Sequence, residues 1–154
     1  MEKVVKKLIE LNKTIATMES CTGGGVANAI TNIPGASEIL KFSAITYSNE
    51  YKIKMGVNKD IIDTYSVYSM EVAREMSKCI SNYANANIGI GVTGKLGKPD
   101  PNNPYGDDNV IYVSIYDKDN DNYYTFDLRT NYETRIDNKE MVINEIENRL
   151  LELL

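Results

Sequence analysis

Apolar residues at Val4, Val5, Leu8, Ile9 and Leu11 recur with the 3.6-residue period of a helix and predict a first helix ending near Asn12. The period changes at Thr14. Thr14, Ile15, Ala16 and Thr17 form a β-branched run that predicts a buried strand stopping at Glu19. Three glycines, Gly23, Gly24 and Gly25, then lead into a helix-compatible segment at 26–31. Pro34-Gly35-Ala36-Ser37 predicts a turn, followed by a short helical piece at 38–41. Residues 42–47 alternate loosely as a second strand, and 48–55 form a short helix closed by Gly56. Another short helix is expected at 58–64. Ser69 is the N-cap expected for a long helix with Val72, Met76, Cys79, Ile80 and Tyr83 on its apolar face.

Residues 88–92 are near-continuously apolar, as a strand covered on both faces would be. A loop rich in Gly, Pro, Asn and Asp spans 94–109. Strands at 110–116 and 123–128 follow, joined by a turn-rich segment as a hairpin. Val142, Ile146 and Leu150 mark a final helix running from about 138 to the end. Helix and strand alternate early and a hairpin comes late. This order predicts an α/β fold, a three-layer α/β/α sandwich with a mixed sheet, and the 154 residues suit a single domain spanning 1–154. No internal repeat or interdomain linker is visible.

With 42% hydrophobic and 25% charged residues, the chain has the composition of an ordinary globular domain. Its net charge of −5 disfavours nucleic acid as a partner, although a local basic cluster could still hold a small anion. Two cysteines in different elements suit a reducing cytoplasm better than a disulfide framework. The acidic, amphipathic start is unlike a signal peptide, and no apolar run approaches the ~18 residues needed to cross a membrane. With no histidine, transition-metal ligation has little to work with, and serine chemistry must find another base.

The strand-to-helix junction is the most informative stretch. It sets Ser20, Cys21 and Thr22 against a helix N-terminus, where unpaired amides could hold an anion or a developing oxyanion. Ser20 is a nucleophile candidate, or simply a helix N-cap. Cys21 is a rival nucleophile, or a small buried residue without a histidine partner. The glycines either let backbone approach a ligand or let the helix pack closely on the sheet. They match neither a phosphate-binding P-loop nor a dinucleotide fingerprint.

Five segments resemble one family in order and spacing, the CinA C-terminal domain or nicotinamide-nucleotide amidase (PncC) family. Residues 17–24 resemble its "AESCTGG" motif, and 33–37 its "PGSS" segment. Residues 46–52 with Gly56-Val57 are similar to "TYSNEAK…GV". Residues 66–76 resemble "GAVSEEVAREM", and 92–94 the start of "TGIAGP". The resemblance implies an α/β/α fold and hydrolysis of nicotinamide mononucleotide to nicotinic acid mononucleotide and ammonia, within pyridine nucleotide salvage and NAD metabolism. It also implies a Ser/Lys serine amidohydrolase, with no metal or other cofactor, that forms a homodimer. Tyr-rich strands carrying Tyr112, Tyr116, Tyr123 and Tyr124 could supply that interface. The family's larger members carry a further N-terminal domain, so a chain starting just before the first helix looks like the stand-alone form.

On this resemblance the catalytic residues are Ser20, Ser37, Tyr47 and Lys52. Lys52 is the base if burial lowers its pKa, or else a solvated lysine beside Lys54. Ser20 and Ser37 compete as its nucleophile, Ser37 otherwise being a turn hydroxyl. Tyr47 relays a proton or orients the amide, or is one more aromatic in a Tyr-rich chain. Thr22, Gly23, Gly24, Thr93 and Gly94 are expected to bind substrate. Arg135 is expected to bind its phosphate, or to be a surface arginine, whereas Arg74 reads as a solvated charge. The chain departs from the family at Lys95-Leu96-Gly97-Lys98-Pro99-Asp100-Pro101-Asn102-Asn103, where the Ile and Ala of "TGIAGP" become Lys95 and Leu96 and the glycine-rich tail becomes Asp-Pro-Asn-Asn. Lys95 and Lys98 could bind phosphate, or the pocket could take a different nucleotide or amide. The later "KPVGTV" region keeps only its outline at 104–110.

Overall fold

The computed structural model describes residues 1–97, 100–131 and 133–154. Its elements run α1 (Glu2–Glu10), β1 (Ile15–Glu19), α2 (Gly25–Thr31), α3 (Ala36–Ile39), β2 (Leu40–Ile45) and α4 (Asn49–Lys54). They continue with α5 (Lys59–Tyr65), α6 (Met70–Ala84), β3 (Ile88–Gly94), β4 (Val110–Asp117), β5 (Asn122–Arg129) and α7 (Arg135–Leu153). The strands lie in the order β2-β1-β3-β4-β5, with β2, β1 and β3 parallel and β4 and β5 antiparallel. This is the mixed sheet expected from sequence.

Both faces of the sheet are covered, so β1 and β3 are buried at every position. On one face, Ile88, Ile90 and Val92 pack with Val4 and Leu8 of α1, Val26 and Ile30 of α2, and Val142 and Ile146 of α7. On the other face, Ala16 and Met18 pack with Val72, Met76 and Ile80 of α6 and Ile62 of α5. Gly89 and Gly91 fill the alternate positions of β3, where α6 lies against bare backbone. A Cβ on Gly91 would sit 2.2 Å from the Ala73 carbonyl oxygen, and one on Gly89 2.0 Å from that of Ser77. The helix answers with small residues of its own. Ala73, Ser77 and Ser81 are buried at i, i+4, i+8, and the Ser77 and Ser114 hydroxyls meet at 2.9 Å.

Several sequence expectations shift. The apolar face of α6 is narrower than its spacing predicts, because it centres on Ala73 and Ser77: Tyr83 is 66% exposed and Cys79 half-buried. The turn at Gly35 runs straight into α3, so β2 covers Leu40–Ile45 rather than 42–47. The last helix begins at Arg135, three residues early, because the Thr134 hydroxyl accepts the Asp137 amide at 3.1 Å and caps it. Tyr116 is buried within the chain, its ring 4.8 Å from that of Tyr123 and its hydroxyl donating to Asp121, so it is not on a free face. Among the described residues no helix is long and apolar enough to cross a membrane.

The topology brings distant segments to one edge. β1, β2 and β3 end together there, Glu19 pairing with both Ile45 and Val92. Gly94 pairs with Ile111, and Val110 with Arg129, so the segment after β3 and the start of α7 reach the same edge. Open parallel sheets characteristically bind ligands beyond these carboxyl ends.

Candidate active site at the carboxyl edge of the parallel strands

Glu19, the last residue of β1, organises the junction. Its buried carboxylate accepts the amides of Gly24, Val26 and Ala27 at 3.1, 3.0 and 2.9 Å. It also accepts the Thr22 hydroxyl at 2.7 Å and the Thr17 hydroxyl at 3.1 Å. The N-terminus of α2 is therefore satisfied from within the chain, and the expectation that these amides face a bound anion or oxyanion is corrected. Thr22 turns inward to Glu19 rather than toward a ligand. Gly24 takes φ +92° as the N-cap, a conformation open to glycine. Side-chain atoms of Ile45 stand 3.0 Å from where a Cβ would lie. The glycine run thus serves close packing. A buried Glu four residues before a glycine run is the signal that sequence reading passed over.

Ser20 follows immediately and is buried. Its amide donates to the Val92 carbonyl at 3.0 Å, which fixes the residue over the end of β3. The hydroxyl faces Lys52 across 3.1 Å. Lys52 is 1% exposed, the largest fully buried side chain among the described residues, and its ammonium also donates to the Thr46 carbonyl at 2.6 Å. Ser48 caps α4 through the Tyr51 amide, and the first turn of that helix sends Lys52 inward. Lys54 points out to Glu50. Burial pulls the Lys52 pKa down from 10.5 to about 8. Cys21 lies beside this pair, and burial pushes its thiol up to about 12, so it stays protonated and unreactive at neutral pH. The Cys21 and Thr22 backbone amides offset this rise only in part.

Ser20 opens on a cavity of about 620 Å³, a size suited to a small organic ligand. Tyr47 and Arg135 stand on its rim. Arg135 donates to the Leu96 carbonyl at 2.7 Å and to the Tyr47 hydroxyl at 3.3 Å. Tyr47 is 65% exposed and, among the described residues, makes no hydrogen bond to Ser20 or Lys52. Lys95 lines the cavity, but its ammonium is held by Asp108 at 3.2 Å and the Gly106 carbonyl at 3.1 Å, and stands 5.1 Å from the Tyr68 ring centre. It is thereby withdrawn from phosphate binding. Lys98 lies outside the described residues. The departing loop also supplies Asp100, which accepts Tyr68 Oη at 2.6 Å, the Asn103 amide nitrogen at 2.9 Å and the Asn102 backbone at 2.9 Å.

The remaining expected residues divide. Gly94 lines the cavity. Thr93 is fully buried, and its hydroxyl donates to the Val67 carbonyl at 2.8 Å, a structural tie rather than a ligand contact. Gly23 turns at the junction, where a Cβ would come 3.3 Å from Lys139 Nζ, a cation that sequence reading missed. Ser37 is exposed on α3, ahead of Leu40, and Leu40 pairs with Ile15 at the opposite end of β1. Five extended residues, roughly 16 Å, separate that end from Ser20, so within one chain Lys52 is joined to Ser20 and not to Ser37.

The family description "CinA C-terminal domain" matches residues 1–154. A Clostridium kluyveri protein named for competence-damage induction is 42% identical over 120 residues, covering 77% of this chain and 29% of its own length. A namesake from Clostridium botulinum is 39% identical over 156 residues, covering 99% of this chain and 36% of its own. The chain thus spans about a third of the length of these curated relatives. Among solved structures, the competence/damage inducible protein CihA from Agrobacterium tumefaciens superposes with a TM-score of 0.86 at 25% identity, over 99% of this chain and 94% of its own. A CinA-superfamily protein from Klebsiella pneumoniae gives 0.90 at 22%, over 98% and 92%, and shows the shared fold.

Proposed function

We propose, from the premise that this chain belongs to the CinA C-terminal-domain family, that it is an amidohydrolase converting nicotinamide mononucleotide and water to nicotinic acid mononucleotide and ammonia. The observation that carries the reading is the buried Lys52 ammonium 3.1 Å from the hydroxyl of Ser20, which lines a cavity that Arg135 also lines. An amide is a poor electrophile, so its hydrolysis needs an activated nucleophile, a proton store and donors for the oxyanion. Neutral Lys52 takes the Ser20 proton as Oγ attacks the carboxamide carbon. The resulting ammonium returns that proton to the departing nitrogen, releasing ammonia and leaving a Ser20 ester. Water then adds to the ester with Lys52 again as base, and the acid leaves as Ser20 recovers its proton. Arg135 takes the phosphate, and Tyr47, held by Arg135, borders the amide.

The reading is tested by ammonia release from nicotinamide mononucleotide without added metal, using wild type, Lys52→Ala, Ser20→Ala and Ser37→Ala. Turnover in wild type and Ser37→Ala, with a loss of about a thousandfold or more in folded Lys52→Ala and Ser20→Ala, is expected. Full activity in Ser20→Ala would overturn the assignment of the nucleophile. An inactive wild type would overturn the amidase reading itself.

A further inference from the structure

We infer that Asp100 selects the positive charge of the substrate's pyridinium ring, making the cavity specific for a zwitterionic nucleotide rather than for any nucleotide bearing a carboxamide. The inference rests on the amidase reading and adds to it a determinant from the loop in which this chain departs from its family. Charges of both signs line the cavity. Lys95 is neutralised by Asp108. Arg135 spends its hydrogen bonds on the Leu96 carbonyl and the Tyr47 hydroxyl, both uncharged. Asp100 likewise receives only uncharged donors: Tyr68, Asn102 and Asn103. Among the described residues neither Arg135 nor Asp100 forms an ion pair, so one cavity carries an uncompensated cation and an uncompensated anion. The complementary ligand bears an anion for the first and a fixed cation for the second. Nicotinamide mononucleotide has both, in its phosphate and its N-glycosylated ring.

The carboxylate is also held in place. Asn103, one of its donors, accepts from the side chain of Asn49 at 2.9 Å. Asn49 opens α4, the helix that carries Lys52, so the anion and the base are referenced to one rigid element. Tyr68 fixes the carboxylate from a second segment. The same hydrogen bonds keep Asp100 ionised, its pKa lowered to about 2. A site built this way favours a cation without waiting for the loop to rearrange.

Dihydronicotinamide mononucleotide provides the test, because it keeps the carboxamide, ribose and phosphate while the hydride added to its ring removes the positive charge along with the aromaticity. Calorimetry on Ser20→Ala, which cannot turn over, is expected to show binding of the oxidised nucleotide on the order of tenfold tighter than the reduced one. Adding Asp100→Asn, which keeps the shape and removes the charge at the cost of the bond at one of the two oxygens, is expected to bring the two ligands to the same affinity. Equal affinities in Ser20→Ala itself, or a preference that survives Asp100→Asn in a folded protein, overturn the inference even where wild type releases ammonia. A preference that depends on Asp100 in a protein that releases none retains the charge selection and overturns the hydrolysis. A protein that binds neither ligand overturns both.

Discussion

The ammonium of a lysine that is 1% exposed, whose hydrogen-bond acceptors among the described residues are a hydroxyl and a carbonyl oxygen, holds its proton less tightly than one in water. For Lys52 the shift runs from 10.5 down to about 8, so near neutral pH a usable fraction of the amine is free to act as base. The expected kcat/KM therefore climbs about tenfold per pH unit below about 8 and levels above it. A profile flat from pH 6 to 9 would remove the lysine base. Lys52→Arg is expected to be inactive throughout, since a guanidinium keeps its proton. Stability follows the same sign. The unfolded chain binds this proton more tightly than the fold does, so the lysine's contribution declines as pH drops from 10.5 to about 8, and no further below. Helical spacing alone does not single out Lys52 from Lys54. Two positions apart on a helix they face nearly opposite ways, and only the tertiary fold decides which side is inside. The motif match pointed to Lys52, whereas its choice between Ser20 and Ser37 needed the pairing of Ile15 with Leu40, a long-range fact with no local trace.

At the scale of elements, close approach between α6 and β3 fixes the central strand beneath the site. Gly91→Ala would push a methyl group to 2.2 Å from the Ala73 carbonyl and 2.6 Å from the Ser77 amide nitrogen, both backbone atoms that cannot turn aside. Overpacking of this kind costs about 1–3 kcal/mol or more, and urea denaturation should show a loss of at least that size. An unchanged midpoint would mean that helix and strand are not packed as described. The sequence reading of 88–92 as a strand covered on both faces holds, since hydrophobic runs report burial well. The same reading could not tell that isoleucine and glycine divide the two faces, or that this narrows the apolar face of α6 and leaves Tyr83 outside. The capping sequence Thr134-Arg-Ile-Asp137 was legible and would have started α7 correctly. The short helix and edge strand at 36–45 were blurred because β2 is only partly buried and lacks a clean alternation.

At the scale of the molecule, the cavity belongs to no single element. Ser20, Tyr47, Tyr68, Asp100 and Arg135 come from segments spread over more than two-thirds of the chain, and the sheet edge is what gathers them. A ligand bridging them ties α7 and the 100–103 segment to β1 and α4, and it has no counterpart in the unfolded chain. Its binding free energy therefore adds to global stability. At a hundred times its Kd that amounts to about 2.7 kcal/mol, which for a domain of this length raises Tm by roughly 5–10 °C. Nicotinamide mononucleotide should produce such a shift in Ser20→Ala, where no product accumulates. Inorganic phosphate at the same concentration should produce much less, because it can engage Arg135 but cannot reach across to Asp100. Equal shifts from the two would mean that only the anion is recognised and that the far wall of the cavity contributes nothing. No shift from either would mean that the native state has no site for the nucleotide, since a ligand that binds the fold and not the unfolded chain must raise its melting temperature.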